Sequence, residues 1–560
     1  MAPADRFIVL TGRARRAIER GVAIDTRALA AFRIACGLLI LADLVLRSRN
    51  FTFFYTEDGV VPRSLARELS PDYAVSVYYL TTDTTVIAGL FVLQGLFAVA
   101  LIVGYRTGLA TILSFLFVVS LDYHNPLVLS YADVLFRLLL FWAIFLPLGE
   151  RWSVDAVHAT RKSSSSVAGG HAQRSSIDAG DEPRETVTTV ASAAILLQLI
   201  TMYVVNGVHK LQSDLWLSGR AAPKVLGLDE MTYLLGDVVR EFPLALQVGG
   251  LVWLAALLAS PLLLVLSGRT RWPLVGVLMT GHLSFALTVR IGAFAYVALA
   301  GLLLFVQEPF WRDAARLLRR VGFDTPSYAG LRHRGIRLAG WFPDVRLDSP
   351  RLTRARRVAY TTTLAVVVVT TLAVGVVLAA NVTILMDEGT DREEVYFETL
   401  EDGTGVSQVA TVADALGIKQ PTWTVFAPEP RTTDRYYVFP ALTESGETYD
   451  VYADRPLSFE RPTDQLQTQH DTYRERFYMN SVRRGGYRTD TAALLAEHLC
   501  STWQTDDGDR LTHVNMYVVE ESVTWETIDA PADRDQEIDR FYRHGCGAHE
   551  PREIDSPAQG

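Results

Sequence analysis

The sequence predicts a polytopic α-helical membrane protein of about nine transmembrane helices with a C-terminal α+β extracytoplasmic domain. Three observations predict it. The net charge of −9 conceals a division: from Asp387 onward 35 acids face 16 bases, giving −19, while the remainder holds 37 bases and 27 acids, giving +10. Apolar runs of the length a bilayer demands, roughly 20 residues at about 1.5 Å each across a core of about 30 Å, recur through the first 385 residues. Arginine collects in the short loops on one side of the spans these runs define. A single soluble globule is excluded.

Nine runs fall at 27–46, 84–104, 108–121, 133–149, 187–207, 243–268, 272–289, 292–307 and 358–385. The third, fourth and eighth are short enough to be core helices of a bundle, so eight or ten spans fit as well. Trp142, Trp152, Trp253, Trp272 and Trp311 fall mostly near span ends, as an aromatic belt places them. Arg13, Arg15, Arg16 and Arg20 precede the first span, a basic polar linker at 150–186 follows the fourth, and the loop to Arg357 carries twelve arginines against five acids. With nine spans these three segments share one side, read as the cytoplasm. The reading is thus of a multi-pass cell-membrane protein with a cytoplasmic N-terminal segment (1–26), a membrane domain (27–307), a basic cytoplasmic loop (308–357), a last transmembrane helix (358–385) and an acidic outer domain (386–560). The first run lacks a small-residue cleavage site after it and reads as a retained span.

In the tail, residues 435–450 read as two strands around a Ser-Gly turn, 511–525 as a strand pair or one long strand, and 490–503 as helical. Cys500 and Cys546 lie there together, either bridged or as two thiols. Only four bases are lysine: Lys162, Lys210, Lys224 and Lys419. An arginine-rich, acid-rich exterior suits a halophile, and high-GC codon usage produces the same bias.

Ionisable residues inside spans are costly and mark function or helix-end anchoring. Asp43, Asp133, Lys210, His282 and Arg290 all fall in the outer half of the membrane on this topology and point to a polar cavity opening outward. Asp133 and Arg137, one turn apart, also fit a plain i,i+4 pair. Lys210 is the sharpest case, because a lysine in an apolar cavity can serve as a base near neutral pH. The arginine-rich loop reads as a topology determinant and anionic-lipid contact, with no nucleic-acid role. Phosphate-loop, zinc-protease, paired-cysteine, nucleophile-elbow and haem signatures are absent, and no metal is expected.

The stretches FYTEDGVVPRS (54–64), GYRT (104–107), LPLGERWSVD (146–155) and GVHKLQSDLWLSGRA (207–221) resemble the HTTM membrane domain, the module shared with vitamin K-dependent gamma-glutamyl carboxylases. Its most specific piece is Lys-Leu followed by Trp-x-x-Gly, here Lys210, Leu211, Trp216 and Gly219; a second is His282 before Ile291, Gly292 and Tyr296. The resemblance spans roughly 27–307. It implies an outer active site in which Lys210 deprotonates a quinol of the vitamin K or menaquinone type, with His282 as a second catalytic group. Asp133, Arg290, Trp216 and Gly219 would shape the cofactor pocket. Carboxylation or epoxidation of a protein or small-molecule substrate would follow. The asparagine-histidine stretch that precedes Trp-Ser-Val-Asp in the animal enzymes is out of register here, where 130–133 reads SYAD. The segment PTWTVFAPEP (421–430) instead resembles the C-terminal part of microbial HTTM proteins. The alternative is a non-enzymatic transporter or a binding or anchoring protein that uses the same cavity.

Overall fold

The computed structural model describes residues 19–72, 74–168, 185–322, 421–485 and 490–554, with a few isolated positions between 339 and 362. Eight helices form the apolar half: α1 (Thr26–Arg49), α2 (Thr84–Val103), α3 (Thr107–His124), α4 (Tyr131–Ala143), α5 (Val190–Lys210), α6 (Pro243–Ala259), α7 (Trp272–Thr288) and α8 (Phe294–Leu302). Local chemistry starts them. Asp25 caps α1 through the Arg27 N–H, and Asp83 caps α2 through Thr85 and Val86. Reciprocal capping boxes open α4 (Ser130 with Asp133) and α5 (Thr189 with Ser192). Gly104 ends α2 in the left-handed region at φ 69°, where a Cβ would lie 2.1 Å from the Arg33 guanidinium; Arg33 itself clamps the turn by donating to the Trp152 carbonyl at 2.6 Å.

Among the described residues four helices, α1, α2, α3 and α5, are long and apolar enough to cross a bilayer, or five if α8 and the helix after it count as one bent span. The nine expected spans are not all met by this length and composition, for two reasons. The runs at 133–149, 243–268, 272–289 and 292–307 form helices of 13, 17, 17 and 9 residues, and the run at 358–385 lies outside the described residues from position 363 onward. The helices pack in sequence, α1 on α2, α2 on α3, α3 on α4, α4 on α5, α5 on α6, α6 on α7 and α7 on α8, and α8 returns to both α4 and α1. Every residue of α4 from Leu135 to Ala143 is buried. That explains a short run that is apolar on every side except at Arg137: it faces protein and not lipid. Two of the quoted stretches meet on this half, since Asp155 accepts from the Arg106 and Thr107 backbone N–H groups at 2.9 and 2.8 Å.

The tail is an α+β unit. Strands β1 (Thr433–Val438), β2 (Pro440–Thr443), β3 (Thr448–Asp450), β4 (Arg455–Pro456), β5 (Leu511–Ser522) and β6 (Gln536–Gly545) form one antiparallel sheet with helices α10 (Tyr473–Gly485) and α11 (Thr491–Thr502) beside it. The expected pair at 435–450 is three strands, because the chain breaks at Phe439, whose N–H leaves the ladder for Asp450. The 511–525 segment is a single 12-residue strand pairing β1 and β2 on one edge and β6 on the other. Cys500 and Cys546 are bridged, with 5.6 Å between Cα atoms, and fasten the end of α11 to the end of β6.

The two halves share one apolar core that runs from the helices into Tyr437, Tyr478 and Val514. Phe54, which opens the first quoted stretch, and Phe53 just before it meet the Tyr478 ring at 5.2 and 5.9 Å.

Candidate functional site

Tyr203, Asn206 and Lys210 stand at i, i+3 and i+7 on α5 and so share one face of the helix. That face, with α6, α7 and the tail segment 423–426, lines an open-sided cavity of 730 Å³ whose wall is predominantly apolar and aromatic. Lys210 and Asn206 stand on its wall, and so do Tyr203 and His282.

Lys210 is 1% exposed. Its Nζ donates to the carbonyls of Val425 at 2.7 Å and Phe426 at 3.0 Å and lies 4.0 Å from the centre of the Trp216 ring. Trp216 in turn donates from Nε1 to the Phe426 carbonyl at 2.8 Å, and Asn206 donates to the carbonyls of Trp423 and Val425 at 2.7 and 3.0 Å. Five donor contacts from the helices are thus met by a tail strap only four residues long. Trp423 and Phe426 hold left-handed φ values of 53° and 52°, a conformation that costs an aromatic residue on the order of 1–3 kcal/mol and persists only where its surroundings enforce it. No carboxylate pairs with Lys210 among the described residues.

His282, on α7, meets the Tyr203 hydroxyl through Nε2 at 3.0 Å and is ringed by Trp253, Phe285 and Phe294 at 5.2, 6.0 and 6.0 Å. Its Nδ1 is buried with no hydrogen-bond partner among the described residues.

The remaining expected site residues lie elsewhere. Gly219 does not line the cavity; it turns the chain at φ 75°, and a Cβ there would sit 2.8 Å from the Gln247 carbonyl, so its glycine requirement is explained by packing against α6. Arg290 donates to the His470 carbonyl of the tail at 2.9 Å. Asp133 belongs to a charged seam: Arg47 binds Asp43 at 2.7 Å, Asp122 at 2.9 Å and Asp133 at 3.5 Å, while Arg474 from α10 binds Asp43 and, at 2.9 Å, Asp133. Arg137 lies 3.5 Å from Asp122, so the i,i+4 pairing with Asp133 is not formed. The expected single cavity of five ionisable groups therefore divides, because the tail supplies an arginine that claims the two aspartates.

A second polar cluster joins the 229–240 loop to the sheet. Arg534 binds Asp434 at 2.8 Å and Asp229 at 2.9 Å, Arg461 binds Asp229 at 2.7 Å, and Glu230 takes Arg476 at 2.7 Å together with Arg431. Burial pushes the Glu230 carboxyl up, but Arg431 and Arg476 outweigh it and hold it down at about 2. Burial, with the Asp229 charge beside it, raises Asp434 to about 6. Glu475, beside Tyr452 and His470, is raised by burial to about 7, and the His470 imidazole is depressed by burial to about 3. Among the described residues no cluster of three or more metal-ligating side chains occurs.

Sequence reasoning missed Tyr203, Trp253 and the strap carbonyls. The i, i+3, i+7 spacing before Lys210 was the available signal for Tyr203; backbone carbonyls leave none.

The fold and site define a class: a helical, membrane-type half whose apolar cavity is closed at its polar end by a C-terminal α+β domain. Residues 168–311, a range that takes in α5 through α8, match the family described as the HTTM domain. That segment is thus similar to an HTTM domain, and a relationship to the carboxylase family is consistent with the match. No curated protein and no solved structure matches the chain.

Proposed function

We propose that this is a multi-pass cell-membrane enzyme, a quinol-linked carboxylase or epoxidase, that works at the tail-facing cavity on the outer side of the membrane with Lys210 as its base. One observation carries the reading: Lys210 and His282 reach the same largely apolar cavity. Its 730 Å³ falls within the roughly 300–1,000 Å³ of small-molecule sites. The wall fits an aromatic ring with an apolar tail, and the polar groups fit its oxygens. A bound quinol supplies reducing equivalents and an ionisable hydroxyl. The protein's part is to place that hydroxyl against Lys210 Nζ, to accept its proton there, and to meet a second oxygen with His282 Nδ1, whose partner Tyr203 fixes the ring. As the neutral amine that can accept a proton, Lys210 points its two N–H bonds at Val425 and Phe426, and the Trp216 face covers its lone-pair position. Proton transfer therefore requires the strap to give up a carbonyl contact in exchange for the ligand. Excluding water from this end keeps the charge interactions strong. The substrate, a protein segment or a small molecule, would approach from the outer side.

In the full-length protein reconstituted into membranes, Lys210→Ala abolishes quinol-dependent oxygen uptake, whereas turnover equal to the parent's removes the assignment. A second reading rests on the saturation of Lys210 by the strap: a non-enzymatic transporter or binding protein in which Lys210 fastens the tail over the cavity. Ligand binding or solute flux that needs no quinol, and that survives Lys210→Arg, favours it.

A further inference from the structure

The chain emerging from α8 bends by 103° and runs into a further helix, α9 (Glu308–Arg320), in which no residue is buried. Its residues separate into two faces at 100° per residue. Phe310, Trp311, Leu317 and Leu318 fall on one, with Val321 continuing that face, and Arg312, Asp313, Arg316, Arg319 and Arg320 fall on the other. Phe310, Leu317 and Leu318 are 41%, 62% and 53% exposed. An exposed apolar stripe of this kind is costly in water and is usually covered by something.

The geometry points to the surface of an anionic bilayer as its occupant. Three features argue for lipid. The bend falls where the apolar segment of α8 ends, so α9 starts at the depth where hydrocarbon gives way to headgroups. Gln307 fixes the corner by accepting from the Gly268 N–H at 2.6 Å and donating to the Arg20 carbonyl at 3.2 Å, which holds α9 across the spans rather than along them. Trp311 stacks edge-on to Trp152 at 5.7 Å and Phe310 meets Trp272 at 5.9 Å, placing aromatic rings at the corner as membrane interfaces do.

Charge selects the lipid. The helix carries four arginines and two acids. Glu308 is engaged with Arg312, and Asp313 with Arg269 and Arg316. Arg319 and Arg320 have no carboxylate partner among the described residues and sit on the face opposite the apolar stripe. Phosphate-bearing anionic headgroups supply that partner while acyl chains cover Leu317 and Leu318, the arrangement of an in-plane interfacial helix. The same residues would otherwise suit a protein partner, and the test separates the two.

The experiment uses the full chain in vesicles of phosphatidylcholine containing about one third phosphatidylglycerol. Single cysteines replace Leu317, Leu318, Arg316 and Arg319, each bearing a spin label whose collisions with oxygen and with a water-soluble nickel chelate are compared. Labels at 317 and 318 should favour oxygen and labels at 316 and 319 the chelate. Equal chelate access at all four positions overturns the proposal, and so does shielding of 317 and 318 from both reagents, which means protein covers the stripe. As a second measurement, Arg319→Gln with Arg320→Gln should lower the enrichment of phosphatidylglycerol around the protein by at least about fivefold. Unchanged enrichment overturns the headgroup assignment. Neither measurement depends on the quinol reading of the cavity.

Discussion

The tail meets the helical half in two chemically opposite ways. At the charged seam three guanidiniums, Arg47, Arg137 and Arg474, face three carboxylates, Asp43, Asp122 and Asp133. At the cavity a single amine, Lys210, faces two carbonyls and an indole ring, with no carboxylate near it among the described residues. A buried charge is costly unless it is matched. The seam is matched, which makes it a lock: its free energy depends on all partners being present. The cavity end is matched only by dipoles, which a ligand oxygen can replace one for one. The difference separates a residue set that holds the tail in place from one that can change partners.

The largest effect is expected at the lock. Arg474→Met leaves Asp43 and Asp133 short of a cation in a buried site, a loss of about 3–5 kcal/mol. Limited proteolysis of the purified full-length protein reads it as release of the tail. A tail as resistant as the parent's would mean that the shared apolar core, and not the seam, holds the halves together.

This asymmetry also sets what the sequence could reveal. The helical architecture was readable because a bilayer imposes length and apolarity on each run independently of the others, and α4 could be suspected as a core helix because 133–149 was short. Lys210, His282 and Trp216 were readable from a local motif whose residues do share a cavity wall or its polar end. Asp133 and Arg290 were misassigned to that cavity because their true partners, Arg474 and the His470 carbonyl, lie roughly 340 and 180 positions away, and no local pattern encodes them. The strap was visible only as PTWTVFAPEP; its function is carried by main-chain carbonyls, which any residue possesses.

A pH titration sharpens the comparison at intermediate magnitude. Glu475 lies between the two regions, half-buried beside Asp471, Tyr452 and Arg290. Its carboxyl titrates near 4.5 when unfolded and at about 7 when folded. The folded state therefore holds the proton more strongly, and the corresponding stability is full below pH 4.5 and is lost as the pH rises through 7, up to roughly 3 kcal/mol. Asp434, raised to about 6, acts in the same direction, whereas Glu230 at about 2 loses its contribution only in strong acid. The His470 imidazole, depressed to about 3, acts in the opposite direction below pH 6.5, so the test is a difference between curves: relative to the parent, Glu475→Gln should lose a fall of up to roughly 3 kcal/mol between pH 4.5 and 7. A variant whose stability runs parallel to the parent's across that window would show that Glu475 reaches water.

The smallest effect tests the exchangeable end directly. Asn206→Leu removes a donor to Trp423 and one of two donors for Val425, while Lys210 and Trp216 still hold Val425 and Phe426. The loss of the contact to the Trp423 carbonyl costs about 1 kcal/mol. Because Trp423 is itself fully buried among the cavity walls, the tail should stay docked and the loss should appear as looser binding of the strap alone: faster amide exchange at 423–426, with exchange in β5 unchanged. If the strap competes with ligand for Lys210, the same substitution should also strengthen binding of an apolar quinone analogue, since less must be displaced. A variant with faster strap exchange but unaltered analogue affinity would mean that the strap and the ligand do not share Lys210, and the cavity's polar end would then be a second lock.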